Sequence, residues 1–341
     1  MDENTLHKPA NDDLAAVVKQ EPELAVEADP SIETAPDALS GTDLNQDKDR
    51  KKPVQYGGQA LIEGVMMRGS SEYCMALRLP DGSIEVTKKP LSAWPQKKIC
   101  KIPLVRGCVA LIDSLIVGMK SLMYSADRNL GEETGQKLGI FEMIITLVLA
   151  LGFGMLLFVG VPTVGAHFLQ GIFAGSVLQN LLEGLFRLVI FFLYVLLISR
   201  MKDIQRVFAY HGAEHKVIFT YEEKQPLTAD SAREHQRFHP RCGTSFLLIV
   251  VMVSIVVFIF LGTEPLWWRV LSRLLLMPVV AGISYELLKF SGRHMNSPWL
   301  SWLIAPGLWL QKLTTKEPDD QQLEVAIAAL EGVLASGQEP E

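Results

Sequence analysis

The chain has 341 residues, of which 49% are hydrophobic and 21% are charged, and its formal net charge is −6. This length and composition fit either two soluble domains or one membrane protein with soluble attachments. Residues 1–49 alone carry thirteen acidic residues and three lysines, or −10, so the rest of the chain carries +4. Such a small basic excess gives no indication of nucleic-acid binding, and it is normal for a protein that faces an anionic membrane leaflet.

Residues 1–49 also contain many Pro, Ala, Ser and Thr and no aromatic residue. Such a segment cannot bury enough apolar surface to offset the entropy that it would lose on ordering. We therefore expect a disordered acidic tail, followed by a cytoplasmic unit of mixed α and β structure at residues 50–137.

The β structure of this unit is indicated by alternation. Apolar side chains alternate over residues 75–79, a Pro-Asp-Gly turn follows, and they alternate again at Ile84 and Val86. This is the pattern of a β-hairpin. Residues 103–126 return to helical spacing with one apolar face, so we expect this helix to lie on the membrane or to pack on the β unit.

The stretch YGGQALIEGVMMRG, residues 56–69, precedes the hairpin. Its glycines permit a close approach of the backbone or a positive φ angle, but their spacing matches neither a Walker loop nor a dinucleotide-binding fingerprint. Nucleotide binding is therefore not supported, and a tight structural turn is favoured over a ligand loop. The weak candidates for a ligand role are Gly57, Gly58, Glu63 and Arg68.

Residues 138–311 have the composition of a membrane domain. Residues 138–161 contain a single charge, Glu142, and are long enough to cross about 30 Å of hydrocarbon at about 1.5 Å per residue. The expected fold is an α-helical polytopic membrane protein with about four transmembrane helices and a small N-terminal unit that contains a β-hairpin. The other spans are predicted at residues 185–201, 245–262 and 266–289, the last with Arg269 and Arg273 near one end.

Two further helices are expected to be amphipathic and interfacial. Residues 298–311 are too short to span a membrane, and their Trp299, Trp302 and Trp309 suit the headgroup layer, with an ordinary core helix as the alternative. Residues 312–341 are expected to form an amphipathic helix that docks on the cytoplasmic part, followed by a tail. The apolar stripe of this helix is Leu323, Ile327, Leu330 and Leu334.

Lys and Arg are unevenly distributed around the predicted spans. There are fourteen between residues 50 and 137, none between 165 and 184, and eight between 200 and 241. By the positive-inside rule, both termini and a His/Cys-rich loop at residues 200–244 should face the cytoplasm. The acidic N-terminus lacks the pattern of a signal peptide. We therefore expect a multi-pass protein whose partner is the lipid bilayer and whose four cysteines are reduced.

The stretch HGAEH places His211 and His215 four residues apart, so a helix would present both imidazoles on one face with Glu214 beside them. The order His-x-x-Glu-His is that of the inverted zincins, in which the Glu activates the attacking water. In a soluble protein, a solvated pair of histidines would be the commoner explanation. Here, the same predicted cytoplasmic loop also supplies His235, His239 and Cys242.

Glu286 would reach the same membrane surface from the fourth span, unless it only pairs with Lys289 or Arg293. Three protein ligands would leave zinc an open position for catalysis, whereas a fourth would make the site structural. The sequence leaves the number of ligands and the third ligand open. The preferred set is zinc held by His211 and His215 with one or more of His239, Cys242 and Glu286, and Glu214 as the general base.

Several stretches carry a resemblance as a set: GGQALIEGVMMRG, YHGAEHK, HPRCGTSF, GISYELLKFSGR and PGLWLQKLTTKEPDDQQLEVAI. They resemble the YqhQ family, bacterial integral membrane proteins of unknown function that are commonly labelled predicted metal-dependent enzymes. The resemblance covers about residues 56–330, implies the bacterial cytoplasmic membrane and leaves His235 outside the pattern. It singles out Gly57, Gly58, Glu63, Gly64, Arg68, His211, Glu214, His215, His239, Arg241, Cys242, Gly243 and Glu286.

Two functions are favoured at this point. The first is a membrane-embedded zinc hydrolase with its site at the cytoplasmic face. The second is a non-enzymatic assembly or translocation accessory protein, in which the cluster is a structural metal site or a polar core and the cytoplasmic surface binds protein partners. A transporter is less favoured because four spans without a visible inverted repeat are few for a monomer, an objection that a homo-oligomer would avoid.

Overall fold

A computed structural model describes residues 56–97, 100, 102–134, 140–172, 175–293 and 298–337. The predicted acidic tail, residues 1–49, lies outside the described residues. The strands are β1 (Gly57–Leu61), β2 (Gly64–Arg68), β3 (Glu72–Arg78) and β4 (Ile84–Pro90). The helices are α1 (Val105–Thr134), α2 (Ile140–Met155), α3 (Val161–Phe168), α4 (Ser176–Ile198), α5 (Lys202–Glu222), α6 (Ala229–Glu234), α7 (Gly243–Phe258), α8 (Leu266–Arg293), α9 (Pro298–Thr314) and α10 (Asp320–Gly337).

The four strands form one antiparallel sheet in chain order. The predicted hairpin is confirmed as β3 and β4, with Arg78 opposite Ile84 next to the turn. The glycine-rich stretch before it forms a second hairpin, β1 and β2, with Leu61 opposite Gly64. Its two-residue turn places Glu63 at a φ of 52°, so this stretch contains the tight turn that the sequence favours.

The central strands are buried on both faces. Val65 and Cys74 belong to a core that they share with α5 and α10, whereas Met66 and Met75 pack with Val117 of α1 on the opposite face. Because successive residues of a strand point to opposite faces, a continuous apolar run such as Val-Met-Met suits a sheet that is covered on both sides. The sheet therefore lies between α1 and the pair α5 and α10.

The predicted C-terminal helix covers the sheet with the apolar stripe read from the sequence. Leu323 and Leu330 are fully buried in the shared core, and Leu334 packs against it. The helix begins with a capping box, because Asp319 accepts a hydrogen bond from the N–H of Gln322 and Gln322 accepts one from the N–H of Asp319. Reciprocal bonds of this kind satisfy backbone donors at a helix start and fix its position.

Among the described residues, four helical segments are long and apolar enough to cross a membrane. The number agrees with the prediction, but the membership differs. The span predicted at residues 245–262 is instead α7, which has 16 residues and covers only about 24 Å. The helix predicted at residues 103–126 continues to Thr134 as α1 and meets the same criterion of length and composition. Val117, Ser125 and Asn129 of this helix contact the sheet, so the predicted packing on the β unit is confirmed. The four segments are Val105–Asn129, Ile144–Phe168, Ser176–Ile198 and Leu266–Ser291.

The span predicted from residue 185 begins earlier, at Ser176, because its first polar residues are paired inside the bundle. Glu183 accepts hydrogen bonds from Arg187 of the same helix and from Arg269 and Arg273 of α8. All four side chains are at most 5% exposed. Ionisable residues within apolar helices usually face protein in this way, and here they join α4 to α8.

Helix α9 is continuous from Pro298 to Thr314 and packs against α7. Leu310 and Gln311 are buried, and Trp309 is largely exposed. The side chains of Trp299 and Trp302 lie outside the description. The location of this helix in the headgroup layer stays a prediction.

Candidate metal centre

Helix α5 presents two imidazoles to one thiol. His211 and His215 lie one turn apart, with ring centroids separated by 4.4 Å, as expected for residues four apart on a helix. Nε2 of His211 lies 3.1 Å from Sγ of Cys242. One potential ligand atom from each of these three residues lies within 4.8 Å of the others. We call His211, His215 and Cys242 the donor set.

Cys242 is placed by the start of α7. It is the N-cap residue of that helix and has an extended backbone, and its Sγ accepts a hydrogen bond from the N–H of Thr244 at 3.4 Å. The hydroxyl of Thr244 lies 3.1 Å from the same sulfur atom. The thiol is thus fixed at the point where the loop that follows α6 enters an apolar helix.

Two backbone carbonyls orient the imidazoles. Nδ1 of His211 lies 2.8 Å from the carbonyl oxygen of Thr314, and Nδ1 of His215 lies 2.6 Å from that of Arg237. A carbonyl oxygen can only accept, so each Nδ1 carries the hydrogen and each Nε2 keeps its lone pair. Metal-binding histidines usually donate their second ring N–H to such a partner. Burial also lowers the pKa of the His215 imidazole, which favours this neutral form.

Glu214 approaches the same region from the side of the sheet. It is 5% exposed, and its carboxylate accepts a hydrogen bond from the N–H of Gly58 on β1. Its Oε2 atom is buried and has no hydrogen-bond partner within the described part of the chain. Burial raises the pKa of this carboxyl group, and the nearby His211 and His239 oppose that rise.

His239 lies next to the donor set but directs its nitrogen atoms elsewhere. Its ring centroid is 5.7 Å from that of His215. Its Nδ1 accepts a hydrogen bond from the N–H of Arg241 at 3.3 Å, and its Nε2 lies 3.6 Å from a carboxylate oxygen of Glu222. Burial lowers the pKa of His239 to about 4, so the ring is neutral near pH 7. With its lone pair already used by the backbone, His239 fits a packing role better than a ligand role.

Glu286 makes a different contact from those that the sequence suggests. It forms a two-point ion pair with Arg106 of α1, with Nε and Oε1 separated by 2.5 Å. The structure thus uses this carboxylate to join α8 to α1 and does not place it in the donor set. Lys289 and Arg293 were the alternative partners that the sequence offered for Glu286, and a partner 180 residues away could not be read from the sequence.

The other candidates from the sequence connect the sheet and the helices around the centre. Glu63 binds Arg206 and the hydroxyl of Tyr210, both on α5. Arg68 binds Asp113 of α1, and Arg241 binds Glu222 of α5. His235 binds Gln225. A Cβ added at Gly57 would contact nothing within 4 Å.

One residue that positions the centre escaped the sequence analysis. Gln311 of α9 is fully buried, accepts a hydrogen bond from the N–H of His239, and donates to the carbonyl of His239 and the hydroxyl of Ser245. It therefore holds both sides of the loop that carries Cys242. The available signal was a lone glutamine in an otherwise apolar stretch of helix.

Comparisons with known proteins agree with the resemblance carried by these motifs. A family model described as "Protein of unknown function (DUF1385)" matches residues 102–336, a range that contains the whole donor set. The chain is 40% identical over 297 residues to "Uncharacterized protein YqhQ" of Bacillus subtilis (strain 168), which covers 83% of this chain and 93% of that relative. No solved structure matches the chain.

Proposed function

The chain belongs to the DUF1385 family of proteins of unknown function, and we propose that it is a membrane-embedded zinc-dependent hydrolase. One observation carries the proposal. Both imidazoles of the donor set give their Nδ1–H to a backbone carbonyl, which leaves each Nε2 lone pair for a metal ion. A pair of histidines that merely packed together would not need this shared orientation.

The chemistry of the donor set fits zinc. Imidazole nitrogen and thiolate sulfur are the usual zinc ligands, whereas magnesium and calcium prefer oxygen. Three protein ligands are also the number found in catalytic zinc sites, where the fourth position receives water or substrate. Zinc bound here would supply a Lewis acid that polarises a substrate oxygen and lowers the pKa of water.

Glu214 supplies the general base in this proposal. The N–H of Gly58 fixes one side of its carboxylate, while the buried Oε2 has no partner among the described residues and can accept a proton. A base works best when its pKa is near the working pH, and burial moves the pKa of this carboxyl group upward, in that direction. Glu214 is therefore suited to take a proton from the attacking water and to pass it to the leaving group.

The membrane location rests on the long apolar segments Ile144–Phe168, Ser176–Ile198 and Leu266–Ser291. Helix α5, which carries His211 and His215, follows directly after α4, and Cys242 immediately precedes α7, so the donor set lies between two apolar helices along the chain. The basic residues of the loop at 200–244 favour a cytoplasmic position by the positive-inside rule. We propose a multi-pass protein of the bacterial cytoplasmic membrane with both termini inside, acting on a substrate that reaches this face.

Metal analysis tests the centre. Full-length protein purified in detergent should contain close to one zinc per chain by elemental analysis, whereas His211→Ala and Cys242→Ser should lose most of it. His235→Ala is the matched control, because His235 lies in the same loop but binds Gln225 instead of the donor set. Folded wild type without metal, or equal zinc in all four proteins, would remove the proposal.

Catalysis needs a separate test. We expect wild type to cleave at least one member of a panel of p-nitrophenyl esters, p-nitrophenyl phosphate and fluorogenic peptides. Glu214→Gln should keep its zinc and lose about 100-fold or more in rate. Zinc-loaded Glu214→Gln that is as active as wild type would reject the role of the base.

A second candidate, a non-enzymatic assembly or translocation accessory protein, is favoured by one specific contact. Cys242 lies within hydrogen-bond distance of both His211 and Thr244, so the cluster can also act as a staple between α5 and α7. In that case Glu214→Gln would be nearly silent, zinc-loaded protein would cleave none of the panel, and His211→Ala would mainly lower the yield of folded protein.

A further inference from the structure

A cavity of about 570 Å³ lies between the beginning of α1 and the end of α8, and its lining does not include the donor set. The short turn near Pro95 closes one side, and the end of β2 contributes to the wall. The polar side chains that line the cavity are Arg68, Arg106, Asp113, Ser114, Tyr285 and Lys289.

The cavity lies at the end of α8, a segment that is long enough to cross a membrane, and beside the start of α1. Arg106 is the second residue of Val105–Asn129, and Lys289 is two residues from the end of Leu266–Ser291. The ends of a membrane-spanning helix lie at the level of the lipid headgroups. The ion pair between Arg106 and Glu286 holds the two helices together beside the cavity.

Carboxylates position both arginines without enclosing them. Nη2 of Arg68 lies 2.5 Å from Oδ2 of Asp113, whose side chain is 2% exposed, yet the Arg68 side chain is 33% exposed. Arg106 is 32% exposed while it pairs with Glu286 at two points. A guanidinium carries five N–H donors, and these ion pairs engage one of them in Arg68 and two in Arg106. Within the described part of the chain, each arginine therefore keeps donors beyond its ion pair.

Counted over the described residues, the formal charges around the cavity do not cancel. Arg68, Arg106 and Lys289 contribute three positive charges, and Asp113 and Glu286 contribute two negative charges. The excess of one positive charge matches a phosphodiester, which carries one negative charge. Between the charged groups, α1 presents the small side chains of Ala110 and Ser114, which leave room for a ligand.

We propose that this cavity binds the phosphate group of an anionic phospholipid at the membrane surface. Basic pockets between transmembrane helices are typical binding sites for such headgroups, and arginine forks bind phosphate oxygens in pairs. The proposal rests on the proposed membrane location and is independent of the zinc centre.

The test is a lipid titration of full-length, delipidated protein in detergent, followed by native mass spectrometry. Phosphatidylglycerol and phosphatidylcholine with the same acyl chains serve as probes. Wild type should bind phosphatidylglycerol more tightly, because the choline cation of phosphatidylcholine balances the charge of its phosphodiester. Lys289→Gln should weaken phosphatidylglycerol binding by about fivefold and phosphatidylcholine binding by less. Ala110→Phe, which fills the cavity without a change of charge, should abolish the selectivity.

Arg78→Gln is the matched control. It removes a positive charge from an ion pair with Glu324 on the other side of the sheet and should leave the lipid selectivity unchanged. Equal binding of the two lipids by wild type, or unchanged selectivity in both cavity variants, would overturn the proposal. Displacement of phosphatidylglycerol by millimolar inorganic phosphate would assign the cavity to a soluble phosphate compound and so reject the lipid.

Zinc content measured on the same samples separates this inference from the proposed function. Zinc-loaded protein without lipid selectivity rejects the cavity proposal alone. Lipid selectivity in a metal-free wild type rejects the hydrolase alone and supports the cavity proposal.

Discussion

The backbone N–H of Gly58 on β1 donates a hydrogen bond to the carboxylate of Glu214 on α5, and the two residues are in direct contact. A Cβ at position 58 would lie 3.0 Å from Cδ of Glu214 and 2.6 Å from the carbonyl oxygen of Met66. Glycine is therefore the residue that lets the sheet reach the proposed base. This contact explains why a glycine-rich strand and the HGAEH helix occur together, although they lie about 150 residues apart.

Gly58→Ala should lower the free energy of unfolding by about 1 to 3 kcal/mol, because the added methyl group has no space. It should also displace Glu214 and reduce the hydrolytic rate more than the zinc content. Gly57→Ala is the control, because nothing lies within 4 Å of its added Cβ. Thermal unfolding and zinc analysis of the two variants, measured together, check this prediction, and equal unfolding midpoints would contradict it.

Gly212→Ala should disturb the donor set by displacing the segment that follows α9. A Cβ at this position would clash with the carbonyl oxygen of Lys316, in the segment that follows α9. Thr314, whose carbonyl orients His211, is the last residue of α9 and lies two residues before Lys316. We expect a loss of zinc affinity of about tenfold or more, as is usual when a group that orients a ligand moves.

Competition with a chromophoric chelator measures that affinity. Gly243→Ala is the control, because it lies beside Cys242 but its added Cβ would have nothing within 4 Å. If both alanine variants held zinc as tightly as wild type, the segment after α9 would have no part in orienting the site.

Local spacing was sufficient to predict that the two imidazoles of the donor set lie side by side, whereas their binding of a metal stays a prediction. Residues four apart on a helix share a face, so His211 and His215 could be paired from the sequence alone. The concentration of donors in one loop also brought Cys242 into consideration. The sequence could not distinguish Cys242 from His239 as the third member of the donor set. That choice depends on the hydrogen bond from the N–H of Arg241 to Nδ1 of His239, which uses the lone pair of this imidazole.

The helix boundaries were harder to predict, since they depend on distant partners. In any local window of sequence, the polar residues at the start of α4 look as if they lie outside the apolar span. They belong to the helix because arginines of α8, about 90 residues further on, neutralise Glu183. Conversely, residues 259–262 are apolar but follow the end of α7, so composition alone overestimates that span.

Cys74 should make stability depend on pH in the alkaline range. It is fully buried beneath α10, and burial raises the pKa of its thiol from the ordinary 9.0 to about 11. The unfolded chain then releases a proton that the folded chain keeps, so this contribution is complete below pH 9 and is lost as the pH rises through about 11.

The wild-type unfolding free energy should therefore fall between pH 9 and pH 11 by roughly 2 kcal/mol more than that of Cys74→Ala. Denaturant titrations in detergent across this range provide the measurement. Parallel profiles for the two proteins would show that the buried thiol does not control alkaline stability.

Glu183 should be the residue whose loss most weakens the helical bundle. It is the carboxylate that Arg187, Arg269 and Arg273 share, and all four side chains are almost inaccessible. Glu183→Gln leaves these three buried cations without this counter-charge, which typically costs about 3 to 5 kcal/mol. Thermal unfolding in detergent should show a much lower midpoint, whereas Glu142→Gln, the same change at an exposed position on α2, should shift it little.

The double variant Glu183→Gln, Arg187→Gln should recover part of the loss, because it also removes one unpaired cation. If the double variant were less stable than Glu183→Gln alone, the neutral acceptors around the arginines would stabilise the cluster more than its charge balance does.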